Sequence, residues 1–195
     1  MELILVIHES VDKRKKVLNT ALKMILENGT QGASMGKISK QSGVAVGTIY
    51  HHFSSKEELI TELYKELKLK MLQAIKYVSQ EETPYQSFYT MIKKFIEYAL
   101  NYPDEYEFIE RYCNSPIIDN NVKKEIEASF KDTIDDFLTF IKSKKFIKEI
   151  PEDLLFLYIN GALSGFLRAQ ISGEIKLEKK FVDLYIRMIW EGLTK

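Results

Sequence analysis

The stretch Ser34–Lys56, SMGKISKQSGVAVGTIYHHFSSK, decides the organisation of this 195-residue chain. Ser34 is a favourable N-cap for a short helix, and Gly43 lies where that helix must end, because glycine adopts the left-handed backbone that closes a helix. A second helix is predicted from Val46 to Phe53. Two helices joined by a glycine-containing turn of about three to four residues form a helix-turn-helix, whose second helix enters a DNA major groove.

The string GVAVGTIYHHFSSKEEL within and after this stretch resembles the DNA-binding segment of the TetR family of bacterial regulators. In that family a G-V-x-x-G-x-x-Y-x-x-F string spans the turn and the recognition helix, and a lysine follows at the start of the next helix. The matching positions here are Gly43, Val44, Gly47, Tyr50, Phe53 and Lys56. The resemblance is specific over residues 11–63. It implies an all-α fold in which an N-terminal three-helix helix-turn-helix domain precedes a C-terminal helical domain for ligand binding and dimerisation.

Two positions depart from the family pattern. Ala45 occupies the position where the family usually has a serine or threonine that caps the recognition helix, and alanine at an N-cap costs about 1 kcal/mol. Val46 occupies a position where a polar or basic residue commonly faces DNA. We therefore expect fewer hydrogen-bonding groups than usual at the start of the recognition helix.

The side chains of the recognition helix divide into a buried set and a DNA-facing set. The small core against the first helix is expected to contain Ile38, Val44, Ile49 and Phe53. Thr48 is best placed to touch a base edge or a thymine methyl group, whereas Tyr50 and His51 are expected to donate to phosphates, as the matching positions do in the family. The complete predicted DNA-binding set is Ser34, Lys37, Ala45, Val46, Gly47, Thr48, Tyr50, His51 and Lys56.

The charge distribution favours DNA binding at one end of the chain. The formal net charge is zero, but residues 9–56 carry eight basic and three acidic residues, a net charge of +5. The remainder from Glu57 onward has a net charge of −4. A basic head on an acidic body is the electrostatic footprint of phosphate binding.

Other functional classes have weak support. The chain has three histidines and one cysteine without metal-ligand spacing, so we predict no metal and no cofactor. Cys113 is interpreted as a small buried hydrophobe, which fits the reducing cytoplasm. The apolar segment MELILVI is too short to span a bilayer, and no other segment is expected to reach a transmembrane run. The segment MELILVI is expected to be a frayed tail, and the alternative is a strand-like arm.

About nine helices are predicted. The first begins after Ser10 and ends at Gly29, and the fourth, capped by Ser54 with Glu57 or Ser55 with Glu58, continues to about Val78. The next helices, the fifth to the eighth, are expected to start at Pro84, Pro103, Asn121 and Pro151. The sixth is expected to end at Pro116, the seventh at Lys144 and the eighth at Ser172-Gly173. A ninth helix is expected to have an apolar face from Leu177 to Ile189. The predicted divisions are an extension at 1–9, a DNA-binding domain at 10–56 with its motif at 34–53, and a ligand-binding and dimerisation domain at 57–195.

The C-terminal region carries two further predicted sites. The resemblance implies an effector pocket, for which the aromatic candidates are Phe88, Phe95, Tyr98, Tyr112, Phe130 and Phe137. It also implies that the last two helices pair with those of a second copy, with the interface candidates Gly161, Gly165, Phe181, Leu184, Tyr185 and Met188. Gly161 and Gly165 are otherwise explained by close helix packing inside one subunit, and the aromatic residues by a plain hydrophobic core.

The sequence therefore predicts a cytoplasmic, nucleoid-associated homodimer that binds palindromic operator DNA and is not an enzyme. A small lipophilic effector is expected to release it from DNA, as a repressor, and no membrane is involved. The alternative is a TetR-like interaction protein that binds DNA weakly and acts through a protein partner.

Overall fold

The computed structural model describes residues 2–75, 83–143, 148–176 and 178–194, with the backbone alone for 2–10, 132–134, 136–143 and 179. These residues form nine helices in the order α1 Glu2–Gly32, α2 Met35–Ser42, α3 Val46–His52, α4 Lys56–Ile75, α5 Pro84–Asn101, α6 Pro103–Tyr112, α7 Asn120–Ser143, α8 Glu152–Ile171 and α9 Lys179–Leu193. The predicted all-α architecture is confirmed. The continuation of α4 to Val78, the end of α7 at Lys144 and the position of Leu177 fall outside the described residues.

The chain divides into two compact units. Unit 1 contains residues 1–69 and 104–126, and unit 2 contains residues 70–103 and 127–195. This division differs from the predicted boundary after Lys56, because the first half of α4 and all of α6 after Pro103 pack with the N-terminal helices. Thr61 Oγ1 of α4, for example, donates to the Ile117 carbonyl at 3.2 Å.

Helix α1 corrects two predictions. It begins at Glu2 rather than after Ser10, and the expected extension at residues 1–9 is helical from Glu2 onward rather than frayed or strand-like. The segment contains no glycine or proline that would stop a helix from propagating toward the N-terminus. At the other end Gly29 has φ 68° and interrupts the helix as predicted, but a further helical turn continues to Gly32.

Capping residues set the starts of the next helices. Ser34 Oγ accepts from the Lys37 amide at 3.3 Å, which confirms the predicted N-cap of α2. For α4 the second of the two possible registers is used, since the Glu58 amide donates to Ser55 Oγ at 3.0 Å. Thr83 caps α5, accepting from the Gln86 amide at 3.2 Å, with Pro84 at the first helical position.

Unit 2 is held by aromatic packing of α5 against α9. The Trp190 ring lies 5.2 Å from the ring of the buried Phe88 and 5.8 Å from that of Tyr85. One turn along α5, Tyr89 donates to Asp183 Oδ1 at 2.6 Å. The interface between α5 and α9 therefore combines apolar ring contacts with a polar contact at its edge.

Helix α8 is unusual among the described helices, because it alone is long and apolar enough to cross a membrane by length and composition. This finding corrects the prediction that no segment reaches a transmembrane run. Core helices of soluble proteins pass the same test, but most of α8 is not buried: Leu157 is 69% exposed and Leu154 53%. The helix therefore presents an apolar surface that its own subunit does not cover.

The turn between α2 and α3 yields a matched stability test. Gly43 has φ 69°, so Gly43→Ala forces an L side chain into the left-handed region and should lower the free energy of unfolding by about 1–2 kcal/mol. Gly36 lies inside α2 with open space around its Cα, so Gly36→Ala should raise that free energy by up to about 1 kcal/mol. Chemical denaturation of both variants checks the pair, and equal effects would contradict the assigned backbone geometry.

Candidate DNA-binding surface

Side-chain hydroxyls fix the turn that precedes α3. Ser39 Oγ donates to the Val44 carbonyl at 2.7 Å, and the Val44 amide donates to Ser42 Oγ at 3.2 Å. The Gly43 amide closes α2 by donating to the Ser39 carbonyl at 2.9 Å. The backbone polar groups of the turn are thus satisfied locally, which holds α3 at a defined angle to α2.

The predicted small core is confirmed. Ile38, Val44, Ile49 and Phe53 are all buried in the structure. Ile49 is the one fully buried side chain of α3, so this short helix has a single inward anchor and presents its remaining surface outward.

The outward surface of α3 contains most of the predicted DNA-facing residues. Val46 and Tyr50, one turn apart, are 44% and 51% exposed. Gly47 and His51, the next pair at the same spacing, are also exposed, and a Cβ on Gly47 would meet nothing within 4 Å. Thr48 is half-buried on the side of the helix. Residues at this spacing share one helix face, which is the face a major groove can receive.

The start of α3 has no side-chain cap. Ala45 is the N-cap residue, is exposed, and makes no capping hydrogen bond, as its methyl side chain requires. The Ile49 amide donates to the Ala45 carbonyl at 3.1 Å, so the helix itself is regularly formed. The departure seen in the sequence therefore removes a cap without changing the backbone.

Three lysines lie around this surface. Lys37 Nζ donates to the Gly32 carbonyl at 3.2 Å, and Lys56 Nζ donates to the Thr30 carbonyl at 3.1 Å. Both ammonium groups are therefore held at the C-terminal end of α1. Lys16, one of the eight basic residues counted at 9–56, has its Nζ 3.8 Å from the position of a Cβ on Gly43, beside the turn.

Arg14 is used for contacts within unit 1. Its Nη2 lies 3.0 Å from Glu62 Oε2, its Nη1 pairs with Glu66, and its guanidinium lies 5.3 Å from the centroid of the Phe53 ring. This cation, counted in the basic head of the sequence, is therefore used to join α1 to α4. It also lies well inside α1, which begins at Glu2.

Two ionisable groups next to α3 have shifted pKa values. Burial lowers the pKa of His52, and the neighbouring His51 and Arg14 lower it further. Hydrogen bonds from the Ser54 hydroxyl and the Ser54 amide lower the pKa of the Glu58 carboxyl. The Glu58 carboxylate thus accepts from the Ser54 amide, which lies just before α4.

The predicted effector residues do not all lie in one unit. Tyr112 is buried in unit 1, where it stacks on Phe108 with ring centroids 4.6 Å apart. Phe88 and Tyr98 are buried in unit 2, which also contains the half-buried Phe95 and Phe130. The side chain of Phe137 is outside the described residues.

The predicted interface residues occupy the outer faces of α8 and α9. Phe181, Leu184 and Met188 are exposed, whereas Tyr185 stacks on Phe166 at 4.5 Å and donates to the Ala162 carbonyl at 2.7 Å. A Cβ on Gly161 or Gly165 would meet no atom within 4 Å. Close packing inside the subunit therefore does not explain the two glycines.

Cys113 is half-buried rather than buried, and its thiol donates to the Glu110 carbonyl at 3.2 Å, which corrects its interpretation as a core hydrophobe. It lies directly after α6, which ends at Tyr112. No group of three or more histidine, cysteine or acidic side chains with metal-binding geometry occurs among the described residues.

The turn geometry, the single inward anchor and the exposed face of α3 define a helix-turn-helix domain. The family model described as bacterial regulatory proteins, tetR family, matches residues 17–63. The chain is 39% identical over 69 residues to the fatty acid metabolism regulator protein of Bacillus subtilis, covering 35% of this chain and 34% of that protein. It is 46% identical over 52 residues to the transcriptional regulator UidR of Escherichia coli, covering 27% and 26% respectively.

These alignments span about a third or less of the curated relatives' length. Over nearly the whole chain, a TetR-family transcription regulator from Marinobacter aquaeolei VT8 superposes with a TM-score of 0.84 at 17% identity, covering 96% of this chain and 98% of that one. The N-terminal segment thus matches the TetR family of bacterial regulatory proteins, and the overall fold is similar to that of a solved TetR-family regulator. The relatives are regulators rather than enzymes, in agreement with the prediction from sequence.

The uncapped start of α3 provides a test of the local energetics. Ala45 has extended ψ of 138°, which suits an N-cap, so Ala45→Ser supplies a hydroxyl acceptor for the first free amides and should stabilise the protein by about 1 kcal/mol. Ala45→Val, which cannot accept a hydrogen bond, is the matched control and should give no gain. Thermal denaturation distinguishes the two, and equal midpoints would show that the missing cap carries no cost.

Proposed function

We propose that this protein is a DNA-binding transcriptional regulator, a homodimeric repressor released from a palindromic operator by a small lipophilic effector. The observation that carries the DNA-binding part is the exposed face of α3, with Tyr50 and His51 outward and Ile49 anchored inward. The proposed contacts are those predicted from sequence, with Thr48 reading a base and Tyr50 donating to a phosphate. Such a protein works in the cytoplasm, associated with the nucleoid.

The exposed apolar surface of α8 and α9 supports a homodimer. Leu157 on α8 and Met188 on α9 are 69% and 56% exposed, and large apolar patches on soluble proteins mark interaction sites. Gly161 and Gly165 leave a groove in which the helix of a second copy can approach closely. A symmetric pair would place two α3 helices about 34–36 Å apart, matching successive major grooves of a palindrome.

The aromatic residues that α5 and α7 contribute to unit 2, Phe88, Phe95, Tyr98 and Phe130, support a lipophilic effector. Tyrosine combines an apolar ring with a polar hydroxyl, which suits a mostly apolar site with a few orienting groups. A relative bears the name fatty acid metabolism regulator, which is consistent with an effector of this character. We propose that effector binding alters α4, which contributes residues to both units, and so favours dimers whose two α3 helices no longer fit the operator.

A second candidate function is a TetR-like interaction protein that acts through a protein partner and binds DNA weakly. It is favoured by the uncapped Ala45 and by Val46, an apolar side chain that is exposed where a DNA-facing surface usually offers a hydrogen bond. The two candidates differ in DNA affinity and in its dependence on salt.

DNA binding is tested with a duplex from the gene's own upstream region against a random duplex of equal length. Several phosphate contacts make the association constant fall steeply as salt rises. Tyr50→Phe and Lys56→Ala should weaken binding to both duplexes, whereas Thr48→Ala should change the preference between them by a factor of about 5–100.

Fluorescence anisotropy at several salt concentrations measures these effects. Glu57→Ala, an exposed change outside the proposed contacts, is the control, and equal affinity for the two duplexes at low salt would favour the interaction protein.

The proposed dimer is tested with Gly161→Leu and Met188→Glu. Leucine at position 161 meets open space in the subunit and is a better helix former than glycine, so it should keep the monomer folded while blocking close helix approach. Glutamate at 188 puts two like charges into an apolar interface. Both variants should sediment as monomers in analytical ultracentrifugation. Leu100→Glu, at an exposed position of α5, should remain dimeric, and dimers in all three variants would contradict this interface.

A further inference from the structure

Two tyrosines at the end of α5 form a paired aromatic surface in unit 2. The centroids of the Tyr98 and Tyr102 rings lie 5.3 Å apart, and the ring planes are inclined by 43°. The two residues are four positions apart, the spacing that brings side chains together along a helix. Tyr98 is buried, whereas Tyr102 is 44% exposed. The tyrosine pair therefore extends from the core of unit 2 to its surface.

A cation of the chain itself occupies the tyrosine pair. Lys70 Nζ, on α4, lies 3.8 Å from the centroid of the Tyr102 ring and 5.9 Å from that of the Tyr98 ring. The negative face of an aromatic ring attracts an ammonium group within about 6 Å of the ring centroid. The position of Lys70 thus shows that the two rings together accept an ammonium group.

Other cations of unit 2 that lie over rings have a different environment. Lys180 Nζ lies 4.9 Å from the centroid of the Phe181 ring, but it is also 2.8 Å from a carboxylate oxygen of Glu178. Lys93 Nζ lies 5.3 Å from the centroid of the Tyr89 ring. In the part of the chain that the structure describes, each of these cations faces one ring. Two rings around one ammonium are typical of sites that recognise alkylated ammonium groups.

The Lys70 side chain can be displaced from the tyrosine pair. It is exposed to solvent, and a cation–π contact at an exposed site is weak. A lysine ammonium is also strongly hydrated, so it loses little when it returns to water. A quaternary ammonium group is hydrated less strongly and gains more from two aromatic faces. Such a group can therefore replace Lys70.

Apolar side chains continue from the tyrosine pair along α5. Phe95 and Met91 precede Tyr98 by three and seven residues, so the three side chains share one helix face. Phe95 and Met91 are half-buried, which leaves part of each side chain accessible. A hydrocarbon chain can lie along this face while its cationic end contacts the tyrosine pair.

We propose that Tyr98 and Tyr102 bind the ammonium group of a lipophilic cationic effector, which displaces Lys70 and places its hydrocarbon body along Phe95 and Met91. Lys70 covers the rings when no effector is bound and is therefore a competitor built into the chain. The inference rests on the proposed function, because it names the charge and the head group of the effector. It goes beyond that function by assigning the residues that recognise this group.

The test compares dodecyltrimethylammonium with dodecanoate, which have similar hydrocarbon chains and opposite charges, each below its micelle concentration. Isothermal titration calorimetry should show that the full chain binds the cation at least about tenfold more tightly than dodecanoate. Tyr102→Leu keeps an apolar side chain but removes the aromatic face, so it should weaken binding of the cation about fivefold or more. Tyr102→Phe, the matched control, keeps the ring and should bind like the parent protein.

The role of Lys70 has a test of opposite sign. Lys70→Ala removes the competitor and should bind dodecyltrimethylammonium about twofold more tightly or better. Lys176→Ala removes the same charge from an exposed position outside the site and should leave the affinity unchanged. The assignment is overturned if the parent protein binds neither amphiphile or both equally, or if Tyr102→Leu binds the cation as well as Tyr102→Phe. It is also overturned if Lys70→Ala binds no more tightly than Lys176→Ala.

DNA binding separates this assignment from the proposed function. In fluorescence anisotropy with the upstream duplex, dodecyltrimethylammonium should release the parent protein but not Tyr102→Leu at the same concentration. Release of both proteins or of neither would overturn the assignment to the effector. A parent protein that binds the cation as expected but prefers neither duplex would refute the regulator and leave the ammonium site in place.

Discussion

The left-handed backbone at Gly43 is the constraint on which the DNA-facing side of this protein depends. It ends α2 at a fixed residue and lets Val44 enter the small core, so that Ile49 becomes the inward anchor of α3. Hydroxyls of Ser39 and Ser42 satisfy the turn's backbone groups and leave no need for other partners there. Because α3 is short, the turn before it determines which of its side chains face outward. The orientation of Tyr50 and His51 is thus a consequence of the turn rather than of α3 itself.

Local signals in the sequence predicted most of the fold because they act within a few residues. Caps at Ser34 and Thr83 and the glycine at 43 each close a hydrogen-bonded ring nearby, and the structure uses them as expected. The predicted start of α1 after Ser10 was wrong. Ser10 can act as an N-cap only where the residues before it are not helical, and here the helix begins at Glu2. The residues of the recognition helix could be named from a short motif, and their exposure agrees with that reading.

Long-range partners could not be predicted from a single sequence. Arg14 appeared as one member of a basic run, but its pairing with Glu62 and Glu66 depends on how α1 crosses α4. Gly161 and Gly165 face open space in the subunit. Helix propensity alone does not predict what surrounds a glycine.

The discontinuous make-up of unit 1 has a consequence for how such proteins can be recombined. Arg111 of α6 donates to the Leu26 carbonyl of α1 at 3.4 Å, and residues 104–126 pack with the N-terminal helices as one compact body. A chimera that joins the N-terminal helices to the C-terminal domain of another protein at residue 56 or 69 would lose residues 104–126. These residues belong to unit 1 but follow α5 in the sequence. In the chimera joined at residue 69, apolar side chains such as Ile60 and Leu63, buried here, would lie in a unit that lacks its own residues 104–126. Modular exchange in this protein therefore requires two crossover points rather than one.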